Sequence, residues 1–370
     1  MKRLVCGQNE FVYDEDGVEF IDAVSGVYNV SYGHCHPRIV EALKQGAGGL
    51  VNTYGNPTPW RRDLENKLVE LTGFDEVHLF STGAEAVEKA LMLALLSLPA
   101  NRRGVLHAKG GFHGKTMGTA GLFDPSFLIR PSYRSRYGDP PYAIIEADWL
   151  ASLRHALKSD FGVVILEPVM AYYGFEFSYD LLRRIKEICD DTHSILIFDE
   201  MVTGFGRAGV NFISNVVKPH MLVTGKGLGQ GLPISAVLFD RKPLNEDVVL
   251  NFSFSTATAG CAFLCRVGLE SCKILVEEDM ALRSQGVGDR LCAQLKTFAL
   301  DLFEVWSVGS MVFVQAKDGV SLEPLETKLR LDHHILTRAH GSSLIMMPPF
   351  VTLNDSIDRI CSAFKEVIAK

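Results

Sequence analysis

Short, almost wholly apolar segments recur along the first two thirds of the chain, separated by stretches with helical spacing. The apolar segments are 77–80, 104–108, 163–166, 195–198, 221–224 and 234–239, and the helical stretches include 84–98 and 179–189. Strands that are apolar on both faces are typical of a mostly parallel sheet that helices cover on both sides. The pattern therefore predicts a large α/β domain in which strands and helices alternate.

The pattern changes after about residue 250. Two long helical stretches, 260–278 and 281–298, are followed by one strand-like run at 305–316, and the last stretch, 354–370, has the apolar spacing of an amphipathic helix. This change in the sequence pattern predicts a separate, smaller α+β domain. We expect residues 45–250 to form the large domain, residues 251–370 the small one, and residues 1–44 an N-terminal segment that contributes to the small domain.

The composition excludes several classes of protein. Hydrophobic residues make up 47% of the 370 residues and charged residues 22%, as in globular proteins. The formal net charge of −7 gives no reason to expect nucleic acid or an anionic membrane as a partner. No apolar stretch reaches the roughly 18 residues of a membrane-spanning helix, and residues 1–16 lack the apolar region of a secretory signal. We therefore expect a cytoplasmic protein that binds neither nucleic acid nor membranes.

Cysteine and histidine form no recognisable metal-binding or redox motif. The eight cysteines include no Cys-x-x-Cys pair, so reduced structural thiols are the expected state. The spacing of His34, His36 and His113 matches no ligand pattern. No metal site is predicted.

Two apolar strands end in residues that can carry chemistry. The segment 194–198 leads to Asp199 at its carboxyl end, where ligands bind to open α/β sheets. Taken alone, Asp199 is equally well interpreted as a cap of the following segment. The segment 221–224 leads to Lys226, which has glycine on both sides. Glycine neighbours let a bulky ligand approach the backbone, and a partly desolvated lysine can act as a nucleophilic amine.

Two further segments follow strands 77–80 and 104–108. Thr82, Gly83 and Ala84 lie at a strand-to-helix turn, where backbone N–H groups and the helix dipole can bind a phosphate, although an ordinary helix cap is the alternative. Phe112 lies among glycines and can stack on a flat heterocycle or simply anchor the core. A phosphate cradle, a stacking ring, a carboxylate and a reactive lysine at strand ends together indicate a pyridoxal 5′-phosphate (PLP) site.

The sequence resembles the class III aminotransferases of the ornithine and ω-amino acid type, which are PLP enzymes of fold type I. The similarity rests on segments that span almost the whole chain, at 12–17, 33–37, 198–207, 224–233 and 347–350. The resemblance implies an α/β large domain of the aspartate aminotransferase type with a mostly parallel sheet, plus a smaller α+β domain. It also implies small-molecule amine or amino acid and carbonyl substrates.

The resemblance implies a set of residues that bind PLP: Thr82, Gly83, Ala84, Phe112, His113, Glu167, Asp199, Met201, Lys226 and Thr256. The first three would hold the phosphate, and Phe112 would stack on the ring. Two residues would be catalytic: Asp199 would pair with the pyridine nitrogen, and Lys226 would hold the cofactor as an imine and move the substrate proton. Family members are homodimers with active sites at the subunit interface. The threonine that reaches the partner's phosphate would be Thr256, with Thr258 as the alternative.

Four positions depart from the family pattern. Met201 and Val202 replace a valine and a glutamine that usually contact the cofactor, and Val202 cannot donate a hydrogen bond. Tyr172 and Ile345 stand where the amino-acid members have the glutamate and the arginine of a carboxylate switch. We therefore expect a more apolar and aromatic pocket, with weak activity towards glutamate and 2-oxoglutarate.

These features predict an aminotransferase that acts on a non-standard amine or amino acid. Tyr28 and Tyr54 would add aromatic surface to the pocket, and Arg207, in a glycine-flanked turn, is expected to be structural. Racemisation, decarboxylation and aminomutase reactions use the same lysine and aspartate, and they are the alternative. A non-catalytic PLP-binding protein agrees less well with the intact pair of Asp199 and Lys226.

Overall fold

The computed structural model describes residues 3–369 apart from 50, 51, 53–55, 57, 123–141, 146–148, 159, 255 and 257, so Tyr54 lies outside the described residues. The central sheet contains the strands β4 (Glu76–Phe80), β5 (Gly104–Ala108), β6 (Tyr142–Ile145), β7 (Phe161–Leu166), β8 (Ile195–Asp199), β9 (Met221–Thr224) and β10 (Ser235–Phe239). Their order is β4-β10-β9-β8-β7-β5-β6, and β10 alone runs antiparallel to its neighbours. The predicted mostly parallel sheet is confirmed.

Helices cover both faces of this sheet. Val163 and Ile165 of β7 pack into one apolar cluster, whereas Val164 and Leu166 pack into another, because successive side chains of a strand point to opposite faces. The helices are α1 (Pro37–Ala47), α2 (Pro59–Thr72), α3 (Gly83–Leu96), α4 (Trp149–Leu157), α5 (Tyr179–Asp191), α6 (Glu246–Asn251), α7 (Ala262–Glu277), α8 (Met280–Ala299), α9 (Glu323–His333) and α10 (Asn354–Ile368). Helix α3 packs on the first face and α5 on the second. None of these helices is long and apolar enough to span a membrane.

Two smaller sheets are built from the two ends of the chain. One has the order β1-β2-β3-β13 and comprises β1 (Leu4–Gln8), β2 (Phe11–Asp14), β3 (Glu19–Asp22) and β13 (Ile335–Leu336). The other has the order β11-β12-β15-β14 and comprises β11 (Phe303–Val308), β12 (Met311–Ala316), β14 (Arg338–His340) and β15 (Ser343–Met346). N-terminal strands therefore pair with a C-terminal strand. The domain boundaries at 44/45 and 250/251 stay predictions.

The run 305–316 is a hairpin and not the single strand that its apolar pattern predicts. Strands β11 and β12 pair antiparallel, with Val308 opposite Met311, and the chain turns at Gly309 and Ser310. Gly309 has a φ of +55°, which glycine adopts without steric cost. The prediction was wrong because the two turn residues interrupt an otherwise apolar run.

One short segment, Ser25–Tyr28, is helical with the opposite hand. Its residues have φ values of +47°, +57°, +67° and +71°, and the Tyr28 N–H donates to the Val24 carbonyl at 2.7 Å. A left-handed turn costs about 1–2 kcal/mol for each non-glycine residue because Cβ crowds the following carbonyl. The surrounding structure must therefore hold this turn in place.

Candidate active site

The carboxyl ends of five strands border one cavity of about 470 Å³. Parallel strands present these ends at the same edge of a sheet, which is why residues far apart in sequence meet there. Nine predicted cofactor residues line it: Thr82, Gly83, Ala84, Phe112, His113, Glu167, Asp199, Met201 and Lys226. Thr256 does not line it. Its Oγ1 accepts a hydrogen bond from the Ala259 N–H at 3.0 Å, and its contact with a partner's phosphate stays a prediction.

Backbone geometry delivers Lys226 to the cavity. Lys226 begins a 3-10 turn directly after β9 and has a φ of +41°. Its glycine neighbours leave no room for side chains: a Cβ on Gly225 would lie 2.7 Å from the Met201 sulfur, and one on Gly227 would lie 2.6 Å from Phe205 Cβ. The two glycines are therefore required by the close packing around the lysine.

The surroundings of Lys226 make its amine more nucleophilic. Burial lowers the pKa of the Lys226 amine, and the carboxylates of Glu167 and Asp199 oppose that shift. A lower pKa raises the fraction of neutral amine, which is the form that attacks a carbonyl carbon. The Nζ atom also lies 5.9 Å from the centre of the Tyr28 ring.

Asp199 and His113 form a buried pair at the bottom of the cavity. Asp199 Oδ2 lies 2.8 Å from His113 Nδ1, and Asp199 Oδ1 accepts a hydrogen bond from the Met201 N–H at 3.1 Å. Asp199 thus does cap the segment after its strand, and it also borders the cavity. Because each carboxylate oxygen has two lone pairs, Asp199 can accept a further hydrogen bond from a ring N–H. His113 Nε2 is buried and has no hydrogen-bond partner among the described residues.

The start of helix α3 forms the polar end of the cavity. Thr82 Oγ1 accepts a hydrogen bond from the Glu85 N–H at 3.2 Å, so the capping interpretation is correct, but the hydroxyl proton is still available to a ligand. Gly83 and Ala84 are the first two helical residues, and the N–H groups there have no partner within an α-helix. Such N–H groups and the helix dipole bind phosphate.

Thr258, and not Thr256, lies beside this end in the same protomer. Its Oγ1 is 3.2 Å from the Ser81 Oγ, and Ser81 lines the cavity next to Thr82. Thr258 is exposed. The hydroxyl is therefore available at the molecular surface close to the predicted phosphate position.

Glu167 fixes the loop that carries the stacking ring. Its Oε1 accepts a hydrogen bond from the Phe112 N–H at 2.7 Å. Burial raises the pKa of Glu167 to about 7; the Asp199 charge adds to the rise, and His113, the Phe112 N–H and Lys226 oppose it. The Phe112 ring borders the cavity, with the Lys115 Nζ 5.8 Å from its centre. Phe112 thus presents a flat surface at a position that Glu167 sets.

Comparison with known proteins identifies the family. The sequence model described as "Aminotransferase class-III" matches residues 3–368. The chain belongs to the class III aminotransferase family. One similar relative is the acetylornithine aminotransferase of Methanosarcina mazei, 29% identical over 371 residues that cover 97% of this chain and 90% of the relative. Another is the ornithine aminotransferase of Brevibacillus brevis, 28% identical over 375 residues that cover 97% and 91%.

Solved transaminase structures share the fold of this class III aminotransferase. The ornithine aminotransferase of Toxoplasma gondii, in a structure with partial occupancy of PLP at its active site, superposes with a TM-score of 0.88 at 26% identity and covers 99% of this chain and 90% of its own. An engineered thermostable ω-transaminase also reaches a TM-score of 0.88, at 20% identity and 99% and 92% coverage, which shows the fold alone. The protein is a PLP-dependent transaminase of fold type I.

The residues around the cavity fit PLP. Lys226 supplies the amine, Asp199 a carboxylate, and the first turn of α3 the N–H groups for a phosphate. A Cβ on Gly83 would lie 3.0 Å from the Met201 sulfur, so glycine is what lets the backbone approach this closely. When bound, PLP supplies an electron sink for the negative charge that develops on the substrate carbon.

An arginine that the sequence pattern did not reveal lies opposite Ile345, one of the two positions predicted to lack the carboxylate switch. Tyr172 tilts onto Phe112, with ring centres 5.4 Å apart, and Ile345 is fully buried on β15. Arg338 on β14 lies directly opposite Ile345 in the antiparallel pair, and opposed residues share one face of a sheet. Ile345, the position that the family resemblance assigns to the switch arginine, therefore has an arginine as its cross-strand neighbour.

The positive charge of Arg338 influences two tyrosines, Tyr172 and Tyr28. Burial raises the pKa of the Tyr172 and Tyr28 phenols, and the positive charge of Arg338 opposes the rise in both. No carboxylate of the described residues lies within salt-bridge distance of Arg338, which is exposed. The register between β14 and β15, which depends on the folded sheet, places this residue opposite Ile345.

Arg207 is structural, as expected. Its guanidinium is buried and donates to the Met347 and Pro348 carbonyls at 3.1 and 2.7 Å and to the Ser31 hydroxyl at 3.0 Å. Burial lowers the pKa of Arg207 to about 9. These bonds join three separate segments of the chain and leave the side chain unavailable to a substrate.

Proposed function

We propose that this class III aminotransferase transfers an amino group between an amine or amino acid and a carbonyl acceptor, and that its preferred partner is not the glutamate and 2-oxoglutarate pair. The second part of the proposal rests on the residues at the substrate side of the cavity. Tyr172 and Ile345 put aromatic and aliphatic surface at both positions of the family's carboxylate switch. Removing a carboxylate from water without a charged partner costs several kcal/mol.

The proposed roles of the two central residues follow from their positions. Lys226 would hold the cofactor and would accept the proton from the substrate carbon; its lowered pKa supports a role as a base. Asp199 keeps the ring nitrogen protonated through a charge-assisted hydrogen bond. His113, 2.8 Å from the Asp199 carboxylate, sets the orientation of that carboxylate.

Arg338 refines the proposed substrate class. A single guanidinium beside two tyrosines suits one carboxylate attached to an otherwise apolar or aromatic substrate. In the family's switch a glutamate neutralises the arginine when the substrate end is uncharged. Tyr172 at that position cannot do so. The proposed partner is therefore a monocarboxylic amino acid or amine with a bulky apolar part.

We also propose that the active unit is a homodimer with its active sites at the subunit interface. The exposed Thr258 hydroxyl beside Ser81 supports an interface at the phosphate end of the cavity. Isolated monomers are then inactive, and sedimentation at assay concentration tests this: a fully active monomer would reject it. The cytoplasmic location stays a prediction.

A half-reaction distinguishes amino transfer from the other PLP chemistries. An aminotransferase mixed with its donor alone releases one equivalent of carbonyl product per active site and then stops, because the amino group stays on the enzyme. A racemase or a decarboxylase turns over repeatedly without an acceptor. We therefore propose to assay the holoenzyme with a panel of amines and amino acids, each with and without pyruvate as the acceptor. This comparison tests the proposed function. Repeated turnover without acceptor would contradict it.

A further inference from the structure

The left-handed turn Ser25–Tyr28 is unusual because of the residues it contains. Gly26 tolerates its φ of +57°, but the neighbouring β-branched Val27 has a φ of +67°, a conformation that such residues rarely adopt. The turn is nevertheless regular: the Tyr28 N–H bonds the Val24 carbonyl at 2.7 Å and the Asn29 N–H bonds the Ser25 carbonyl at 3.0 Å. Backbone strain of this kind persists only where surrounding contacts impose it.

The Asp22 carboxylate makes those contacts. Its Oδ1 accepts a hydrogen bond from the Val24 N–H at 3.0 Å, and its Oδ2 accepts one from the Gly26 N–H at 2.7 Å. The same Oδ2 lies 2.7 Å from His34 Nε2. Asp22 ends β3 and is 2% exposed, so its position is fixed by the sheet and by His34. A fully engaged carboxylate therefore ties the start of the turn to the β1-β2-β3-β13 sheet.

A second hydrogen bond joins the turn to the segment after β15. The Ser25 hydroxyl donates to the Met347 carbonyl at 2.6 Å, immediately after β15. Asp22 ends a strand of one small sheet, and Met347 directly follows a strand of the other. The turn is thus held between the two smaller sheets.

The handedness of the turn decides which side chain faces the active site. Tyr28 is 3% exposed and its ring centre lies 5.9 Å from Lys226 Nζ, whereas Val27 is 62% exposed. Asn29, the next residue, lines the cavity. A right-handed turn would send these consecutive side chains in other directions, because the rotation per residue changes sign.

We infer that Asp22 and His34 are positioning residues: their paired side chains hold the left-handed turn and thereby fix Tyr28 beside the Lys226 amine on the substrate side of the cavity. The inference deepens the proposed function, on which its kinetic consequence rests. Its structural consequence, the burial of Tyr28, does not depend on any activity. The structural consequence and the kinetic consequence can therefore be contradicted independently of each other.

Chemical nitration of tyrosines in the holoenzyme, mapped by peptide mass spectrometry, tests the structural consequence. In the wild-type protein Tyr179, which is 36% exposed, is modified, and Tyr28 and the fully buried Tyr32 are protected. In His34→Ala and in Asp22→Ala we expect nitration of Tyr28 at least tenfold faster, with Tyr32 still protected. Unchanged protection of Tyr28 in both folded variants would overturn the inference.

His34→Gln keeps the inference testable if Asp22→Ala unfolds. Glutamine retains an N–H donor for the Asp22 carboxylate, so this variant should protect Tyr28 as the wild type does, whereas His34→Ala should not. Nitration of Tyr32 together with Tyr28 would reveal general unfolding in the Asp22 variant. The two His34 variants would then show whether the contact with Asp22 protects Tyr28. Equal Tyr28 reactivity in His34→Gln and His34→Ala would contradict the proposed contact.

Binding and kinetics test the functional consequence. For His34→Ala we expect the KM of the best amino donor to rise at least tenfold with a smaller change in kcat, and His34→Gln should restore it. The Kd of an analogue of that donor lacking the amino group, measured by calorimetry, should rise in parallel. A role limited to stability would lower Tm and leave both constants unchanged. Should no donor react with the wild-type protein, the proposed function fails while the nitration result still stands.

Val27→Gly tests the handedness itself. Glycine removes the steric conflict at positive φ, so this variant should melt at the wild-type temperature or above it. The matched control is Val216→Gly, at an exposed loop valine whose φ is −96°, which should lower Tm by about 2 °C. Equal destabilisation by both substitutions would show that the turn is not left-handed.

Discussion

Asp199 Oδ2 lies 2.8 Å from His113 Nδ1, and both side chains are buried below the cavity that Lys226 borders. A buried carboxylate that keeps one charged or polar partner can offer its remaining lone pairs to a second one. The pair therefore gives the proposed ring partner a fixed orientation before the cofactor binds. We therefore expect a specific effect when either Asp199 or His113 is replaced.

Asp199→Asn should bind PLP but lose turnover. The amide is nearly isosteric, so the cavity keeps its shape, but it cannot hold a ring nitrogen protonated. Losing a charge-assisted hydrogen bond of about 1.5–3 kcal/mol corresponds to a fall in kcat of about ten- to a hundredfold. Steady-state kinetics and the cofactor-to-protein ratio measure both effects. His113→Gln, which keeps a donor to the carboxylate, should lose much less, and a near-normal kcat in Asp199→Asn would exclude Asp199 as the ring partner.

The covalent attachment of the cofactor should map to Lys226. Gly225 and Gly227 let the chain pack closely against Met201 and Phe205 at this lysine, and burial lowers the pKa of its amine. Borohydride reduction of the purified protein followed by peptide mapping should place the reduced cofactor on the peptide that contains Lys226. Lys226→Ala should lose both the label and the activity, whereas Lys115→Ala should keep the label. A label on another lysine would disprove the assignment.

Glu167 predicts an unusual pH dependence of stability. Its pKa is raised to about 7 by burial, so the native state binds this proton more tightly than the unfolded chain does. The stabilisation it gives is complete at pH values below 4.5 and is lost as the pH rises through about 7. Relative to Glu167→Gln, the cofactor-free wild type should therefore lose on the order of 3 kcal/mol of unfolding free energy between pH 4.5 and pH 8.

Urea unfolding of both proteins at the two pH values measures this difference, because titrating groups that Glu167 does not influence contribute equally to each and cancel. Glu304→Gln, which removes an exposed carboxylate on β11, serves as the control. A difference that stays constant between the two pH values would mean that the native structure does not raise the pKa of Glu167.

The site residues at the strand ends were predictable from sequence because reactive side chains directly follow strands that the apolar pattern identifies. Lys226 and Asp199 follow uninterrupted apolar strands, and Thr82 precedes a helix that it caps. Arg338 was not predictable, because only the register of two short strands relates it to Ile345. The left-handed turn was not predictable either, since Val27 contradicts its own backbone preference, and the contacts of Asp22 and the bond from Ser25 to Met347 form only in the folded chain.

The last prediction concerns the substrate, where Arg338 changes what the sequence alone suggests. Its cross-strand partner Ile345 carries no charge, and neither does Tyr172, whose phenol feels the Arg338 charge. The proposed pocket then offers one guanidinium beside aromatic side chains. Catalytic efficiency should then be higher for an aromatic or bulky monocarboxylic donor than for glutamate, by about a hundredfold if the second carboxylate is buried unpaired at a cost of a few kcal/mol.

Arg338→Gln should separate the two contributions to this preference. Without the guanidinium, kcat/KM for the monocarboxylic donor should fall about ten- to a hundredfold, the worth of a charge-assisted hydrogen bond, while kcat/KM for the matching amine that lacks the carboxylate should change little. Arg330→Gln on helix α9 controls for the loss of one positive charge. Equal losses for the acid and the amine would show that Arg338 does not contact the carboxylate. A wild-type efficiency with glutamate and 2-oxoglutarate at or above that of every other pair would refute the aromatic-pocket proposal, because the enzyme would then hold two carboxylates without the family's switch.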